Sequence, residues 1–166
     1  MGEMRLKKRE IKDKMILREI LEGCDVLRIG AVDQEGMFIV PVNFGYDFDT
    51  GKENPRLTLY FHGAAEGRKV EAFALNPDVA VEMDCCHELI TGDYTCSYSY
   101  AYRSIMGNGR VARITADEDK KYALSRIMAH VAPDADLVFS REMLERTAVF
   151  RIDITHFTGK ERKKKE

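Results

Sequence analysis

The stretch Leu59-Tyr-Phe-His62-Gly-Ala-Ala-Glu-Gly67-Arg68-Lys69 stands where a predicted strand ends and a predicted helix begins. Its two glycines allow a tight turn, and the first amides of the helix have no partner within the helix. Two cations, Arg68 and Lys69, follow at once. Together these features favour a phosphate group. The stretch is not a P-loop, because the glycine spacing is one residue short and no Ser or Thr follows the lysine. An ordinary strand–helix turn with solvated cations is the alternative.

The residues around this stretch alternate between apolar and polar types, as strands of an antiparallel sheet do. Leu57, Leu59 and Phe61 fall on one face of a predicted strand over 56–62. Residues 88–99 have no clear period, which is typical of a loop with at most an edge strand. Further strands are predicted over 26–32, 37–46, 79–84, 102–114 and 148–154. Strands joined mostly as hairpins predict a mainly β fold with flanking helices, in the form of an antiparallel barrel.

Four helices are predicted around this barrel. Apolar residues at helical spacing predict helices over 11–22 and 66–75, and a short helix is expected over 140–146. A capping box at 115–118 predicts the start of the remaining helix. The face of that helix expected to be buried carries Ala123, Leu124, Ile127, Met128 and Val131.

The composition limits the possible classes of protein. A chain of 166 residues with 45% hydrophobic content can form one core and is too short for two comfortable domains. A net charge of −2 argues against a general nucleic-acid binder. No apolar run approaches the roughly 20 residues of a membrane helix, and the charged N-terminus lacks the apolar stretch of a secretory signal. We therefore expect a cytoplasmic protein with no nucleic-acid or membrane partner.

The four cysteines, Cys24, Cys85, Cys86 and Cys96, are expected to be reduced thiols. Cys85 and Cys86 are adjacent and precede His87, which suggests a metal site. Zinc sites usually contain a ligand pair spaced C-x₂₋₄-C, and no second pair completes a tetrahedron here. Structural thiols are the favoured interpretation, and no metal is expected.

Two further stretches offer groups for a ligand. Pro41 lies inside a predicted strand, and a proline there belongs at an edge or a bulge. An edge leaves backbone groups free to bond a planar heterocycle, although an ordinary edge strand is the alternative. The stretch Tyr102-Arg-Ser104-Ile-Met-Gly107-Asn-Gly109 offers a hydroxyl group, and its glycines suggest a bulge or a close backbone approach.

In this order along the chain, three motifs resemble the nitroimidazole-resistance branch of the pyridoxamine 5′-phosphate oxidase-related flavoproteins. They are Pro-Val-Asn-Phe-Gly-Tyr at 41–46, Tyr-Phe-His-Gly-Ala-Ala-Glu-Gly-Arg-Lys at 60–69 and Tyr-Arg-Ser with Gly-x-Gly at 102–109. The resemblance implies an FMN-binding split β-barrel, dimeric, with the flavin in a groove that both subunits line. It divides the chain into an N-terminal helical segment (1–24), the FMN-binding split-barrel domain (25–160) and a charged tail (161–166).

The same resemblance implies roles for individual residues. Arg68 and Lys69 would meet the phosphate of flavin mononucleotide (FMN), with Ser104 as a further polar contact. His62 matches the histidine that relatives place close to the cofactor, which makes it the candidate catalytic residue; a hydrogen-bonded histidine at a strand end is the alternative. Along the isoalloxazine or beside the ring and ribityl chain would lie Pro41, Val42, Asn43, Phe44, Tyr60 and Phe61.

The C-terminus departs from the true pyridoxamine 5′-phosphate oxidases, which end in an arginine- and proline-bearing motif that holds substrate. Here residues 154–160 are followed by a run of charges, which argues against vitamin B6 oxidation. The expected activity is FMN-dependent reduction of a small electron-poor substrate such as a nitroaromatic. The alternative is a non-catalytic protein that binds flavin or haem on the same barrel, with His62 or His87 as a haem ligand.

Overall fold

Within residues 6–51 and 53–164, which the computed structural model describes, the chain forms one antiparallel sheet of eight strands and four α-helices. The helices are α1 (Lys14–Gly23), α2 (Arg68–Leu75), α3 (Asp117–Val131) and α4 (Arg141–Arg146). The strands are β1 (Glu10–Ile11), β2 (Leu27–Asp33), β3 (Gly36–Val42), β4 (Gly45–Asp49), β5 (Arg56–Ala64), β6 (Asp78–Ile90), β7 (Ser99–Ile114) and β8 (Thr147–Arg162). No helix among these residues is long and apolar enough to cross a membrane.

The connection between β3 and β4 closes the sheet into a split barrel. The strand order is β3-β2-β6-β7-β8-β5-β4, with β1 beside β8, so β3 and β4 lie at opposite ends of the hydrogen-bonded path. Yet only Asn43 and Phe44 separate these two strands in the chain. The Cα atoms of Val42 and Gly45 can therefore be at most about 11 Å apart. The two ends must therefore approach each other without a ladder between them. The predicted fold class is confirmed, whereas the single strand predicted over 37–46 is wrong because the chain changes sheet edge at Asn43.

The barrel interior is filled by the inward-facing residues of its strands. Leu57, Leu59 and Phe61 of β5 are buried, as their alternation predicts. Phe61 stacks on Phe150 of β8 with ring centroids 5.0 Å apart. The core is therefore a packed interior, and a ligand as large as a flavin must bind outside it.

Helix α3 covers the outer face of β4 and β5. Ala123, Leu124 and Ile127 are buried there, as predicted, whereas Met128 is half-buried and Val131 is exposed. A Cβ on Gly45 would lie 2.4 Å from the Ile127 nitrogen, so the helix rests directly on the strand backbone. The predicted capping box is wrong, because the residue before α3 is Ala116 and no side chain caps the helix.

Strands β6, β7 and β8 are longer than their sequence pattern predicts. β6 continues to Ile90 and β7 begins at Ser99, so both extend into the predicted loop. β8 continues past residue 154 to Arg162, paired with β7 along its length. Most of these residues are exposed or half-buried, with few fully buried side chains among them, so they show no clear apolar period. The bulge expected near Gly109 is confirmed, since the β7–β8 register shifts between Asn108 and Gly109.

Candidate functional site

The turn between β5 and α2 forms the first part of the candidate site. Gly67 precedes α2 with φ +121°, a conformation that favours glycine. The Val70 and Glu71 amides bond to the Gly67 carbonyl oxygen at 2.9 and 3.2 Å, and no side chain caps the helix. The amides of Arg68 and Lys69, which come before these two at the start of α2, are therefore available to an anion at the positive end of the helix dipole.

Lys69, in the first turn of α2, folds back over the end of β5. Its Nζ occupies the space beside Gly63, where a Cβ would lie 2.5 Å from that nitrogen. The residue is half-buried, and no described carboxylate forms an ion pair with it. A partly desolvated cation without a counter-charge favours binding of an anion.

His62 lies beside this ammonium group. The imidazole is half-buried, and it forms no hydrogen bond with the described residues. Burial, and secondly the Lys69 charge, lower the pKa of His62 below its ordinary value. The imidazole is therefore neutral at neutral pH and able to accept a proton if an anion offsets the Lys69 charge.

Arg68 points away from Lys69 to the turn between β2 and β3. Its Nε and Nη2 atoms donate to the Asp33 carboxylate at 2.5 and 3.0 Å, and Nη1 lies 3.5 Å from Glu35. The guanidinium carbon lies 4.5 Å from the ring centroid of Phe38. The structure thus separates the two cations of the motif: Arg68 joins α2 to the β2–β3 hairpin, and Lys69 has no carboxylate partner among the described residues.

The aromatic residues of the predicted site are mostly occupied by other contacts. Phe61 lies in the barrel core, and Phe44 is fully buried, with its ring centroid 4.5 Å from that of His130. The Tyr60 hydroxyl donates to Asp47 at 2.9 Å. Because they are buried, the side chains of Phe44, Tyr60 and Phe61 can form only the wall of a site. A ligand there would contact the backbone of these residues.

The segment where β3 ends and the chain crosses to β4 is more exposed to solvent. Pro41 is exposed in the edge strand β3, as a proline inside a strand predicts. Val42 is half-buried and Asn43 is exposed in the crossing to β4. Free backbone groups at this edge can bond a planar ring.

Ser104 lies far from Lys69 within one chain. His62 pairs with Val149 of β8, which pairs with Ile114 of β7. Ser104 lies ten residues before Ile114 on β7, which corresponds to roughly 33 Å between the two residues in an extended strand. A single chain therefore does not bring its own Ser104 to this anion site.

A groove of about 920 Å³ lies on the outer face of β2, β3, β6 and β7, and sequence reasoning missed it. None of the ten predicted site residues lines it, although Phe38, on which Arg68 stacks, does. The side chains of Met37 and Ile39 are 87% and 72% exposed at its edge. Their apolar character on the outward face of β3 is the signal that could have revealed it, because a solvent-facing strand surface is usually polar.

Solved structures with this fold include flavin- and haem-binding proteins. A candidate 5-nitroimidazole antibiotic resistance protein from Bacteroides thetaiotaomicron is 31% identical, with a TM-score of 0.76 over 91% of this chain and 85% of the other. The flavocytochrome Anf3 from Azotobacter vinelandii is 21% identical, with a TM-score of 0.80 over 98% of this chain and 73% of the other. The FAD and heme binding protein from Mycobacterium smegmatis is 17% identical, with a TM-score of 0.76 over 95% and 76%.

No curated protein sequence is similar enough to this chain to count as a match. The family model described as pyridoxamine 5′-phosphate oxidase matches residues 13–161. Together with the Bacteroides structure, this match confirms the family that the three sequence motifs indicated. The chain belongs to the pyridoxamine 5′-phosphate oxidase family.

Proposed function

We propose that this protein is a cytoplasmic FMN-dependent oxidoreductase that reduces a small electron-poor substrate such as a nitroaromatic. The observation that carries the proposal is the half-buried Lys69 ammonium, which no carboxylate of residues 6–51 and 53–164 pairs with, beside the neutral imidazole of His62. The Bacteroides relative, named for 5-nitroimidazole resistance, supports this substrate class.

The residues at the β5–α2 turn fit the phosphate of FMN. Gly63 leaves the space in which the Lys69 ammonium lies, and the uncapped start of α2 adds N–H donors. A bound phosphate would offset the Lys69 charge, which has no carboxylate partner in the described part of the chain. Arg68, held by Asp33, would act mainly by fixing the position of α2.

The flavin would lie between this turn and the open edge of β3. The backbone and side chains of Pro41, Val42 and Asn43 would run along the isoalloxazine, and Phe44, Tyr60 and Phe61 would form the packed wall behind it. Bound FMN supplies the electrons for reduction. The protein holds it, orients it and limits the access of water.

His62 is the proposed catalytic residue because reduction of a nitro group consumes protons. Burial and the Lys69 charge hold its pKa below the ordinary value. A phosphate that offsets the Lys69 charge moves the pKa back toward neutrality, where an imidazole can deliver a proton. His62 would then hold a proton beside the reacting groups.

We further propose a homodimer with the flavin at the subunit interface. The apolar groove on the outer face of β2, β3, β6 and β7 is the surface that a second copy would cover. Ser104 lies roughly 33 Å along the strand from the level of His62. It would therefore contact the flavin of the other subunit rather than that of its own chain.

Haem binding without turnover is the second candidate function. The flavocytochrome and the FAD and heme binding protein share this fold. The Nε2 atom of His87 is bonded to Asp84 at 2.8 Å, whereas neither ring nitrogen of His62 is hydrogen-bonded with the described residues. His62 is therefore the better of the two proposed haem ligands.

The absorbance spectrum of the purified protein tests these proposals. We expect flavin bands, release of FMN on denaturation, and anaerobic bleaching by a reduced nicotinamide followed by recovery on addition of a nitroaromatic. A Soret band would favour haem binding. Bleaching without recovery would favour a flavin carrier. A colourless protein that fails to bind added FMN would overturn the proposed function.

A further inference from the structure

Three thiols that are distant in sequence meet where α1 ends against β6. Cys24 follows α1 and is buried, and the neighbouring Cys85 thiol adds to the effect of burial in raising the pKa of Cys24. The Sγ atoms of Cys85 and Cys86 lie 3.5 Å apart. Cys85 is half-buried and Cys86 is exposed, so a reagent can reach the adjacent pair from solvent.

The backbone places the Cys85 and Cys86 thiols side by side. Successive side chains of a regular strand point to opposite faces. Here the β6–β7 register shifts between Cys85 and Glu88, and Cys86 has φ +59°. Cys86 is the one residue other than glycine with a positive φ in the described part of the chain. Such a bulge turns two neighbouring side chains toward each other, and strained positions of this kind are often functional.

The sulfur–sulfur distance indicates what this pair can hold. A disulfide needs about 2.05 Å between sulfurs, whereas two bonds of about 2.3 Å to one atom give 3.5 Å at an angle near 100°. Zinc needs four ligands, and no group of three or more His, Cys, Asp or Glu side chains among residues 6–51 and 53–164 is placed to hold a metal ion. The Cys85–Cys86 pair therefore suits a ligand atom that bonds to only two sulfurs.

The protonation of Cys85 favours the same chemistry. Burial raises the pKa of Cys85 to about 11, so this thiol keeps its proton at neutral pH. A divalent metal needs thiolates, which makes its binding costly here. A trivalent arsine oxide condenses with two thiols instead: two As–S bonds form, the As=O bond breaks, and both protons leave with the oxygen as water. No electron is transferred and the product is neutral.

We propose that Cys85 and Cys86 form a dithiol site that captures trivalent organoarsenicals. The bulge holds the two sulfurs at the separation of the product, so the second bond forms within one complex at high effective concentration. This pair shares no residue with the flavin site proposed above, although it borders Ser104, which pairs with Asp84 directly before Cys85.

The test uses phenylarsine oxide and the purified, reduced protein. We expect one adduct per chain in the intact mass spectrum, stable to excess 2-mercaptoethanol and removed by dithiothreitol. Cys86→Ser and Cys86→Gly should each lower the apparent affinity roughly 100-fold or more, because a single thiol loses the chelate effect. The glycine variant keeps the positive φ, so its melting temperature separates loss of the site from loss of the fold.

Cys96→Ser is the matched control, because Cys96 is an exposed free thiol outside the cluster. It should bind as the wild type does. Unchanged affinity in Cys86→Ser would overturn the proposal. Loss of the adduct in a folded Cys24→Ser variant would assign capture to the Cys24–Cys85 pair instead and would equally overturn it.

Discussion

The Lys69 ammonium fills the space that a side chain at residue 63 would need: a Cβ on Gly63 would lie 2.5 Å from Nζ. Gly63→Ala should therefore displace the end of a flexible side chain without moving the backbone. We expect a small change in melting temperature and a clear loss of FMN affinity by titration. Gly51→Ala, in an exposed turn, is the control and should bind normally.

Lys69→Ala should weaken FMN binding about tenfold or more, since charge-assisted contacts contribute roughly 1.5–3 kcal/mol. Lys121→Ala, which removes a lysine paired with Glu118 on α3, is the control. Adding Gly63→Ala to Lys69→Ala should cause little further loss, because both act on the same ammonium group. An unchanged dissociation constant at moderate salt would remove Lys69 from the site.

Arg68→Ala should affect the fold more than the phosphate contact. Its guanidinium bonds to Asp33, so Arg68→Ala and Asp33→Ala should lower the melting temperature by similar small amounts, and the double variant should add little. FMN titration of Arg68→Ala should show a smaller loss than Lys69→Ala. A larger loss would make Arg68 the principal phosphate ligand.

His62 should make the protein less stable in mild acid. Its pKa in the folded state is below the unfolded value, so the folded state binds fewer protons and stability falls as pH drops through about 6.5. Urea unfolding between about pH 7 and pH 5 should show a smaller loss of stability in His62→Gln. Lys69→Ala should raise the His62 pKa in an NMR titration, because the Lys69 charge is, after burial, the second cause of the lowered pKa.

The catalytic role of His62 has its own readout. His62→Ala should leave FMN bound through its phosphate and change the flavin reduction potential or its rate of reoxidation by a nitroaromatic. A variant in which only the melting temperature moves would make His62 a structural residue.

The dimer prediction rests on the outer face of β3. Ile39→Glu places a charge on the apolar groove and should halve the mass measured by light scattering. Leu75→Glu is the control, because Leu75 is similarly exposed, at 69%, on α2. A monomer mass for the flavin-loaded wild type would contradict the proposed homodimer.

The sequence alone determined the elements whose apolar pattern is local. Leu57, Leu59 and Phe61 alternate on β5, and Ala123, Leu124 and Ile127 recur at helical spacing on α3, because each period follows from backbone geometry. The three motifs likewise identified the family. The extensions of β6, β7 and β8 escaped this reasoning, since few of their residues are fully buried and they show no clear apolar period.

Only the tertiary structure decided which distant residues meet. Barrel closure at Asn43 and strand register brought Asp33 to Arg68, carried Ser104 away from Lys69, and assembled Cys24 with Cys85. The reason is physical: hydrophobic patterns specify which face of each strand is buried, whereas the neighbours around a closed sheet depend on the register of every ladder between them.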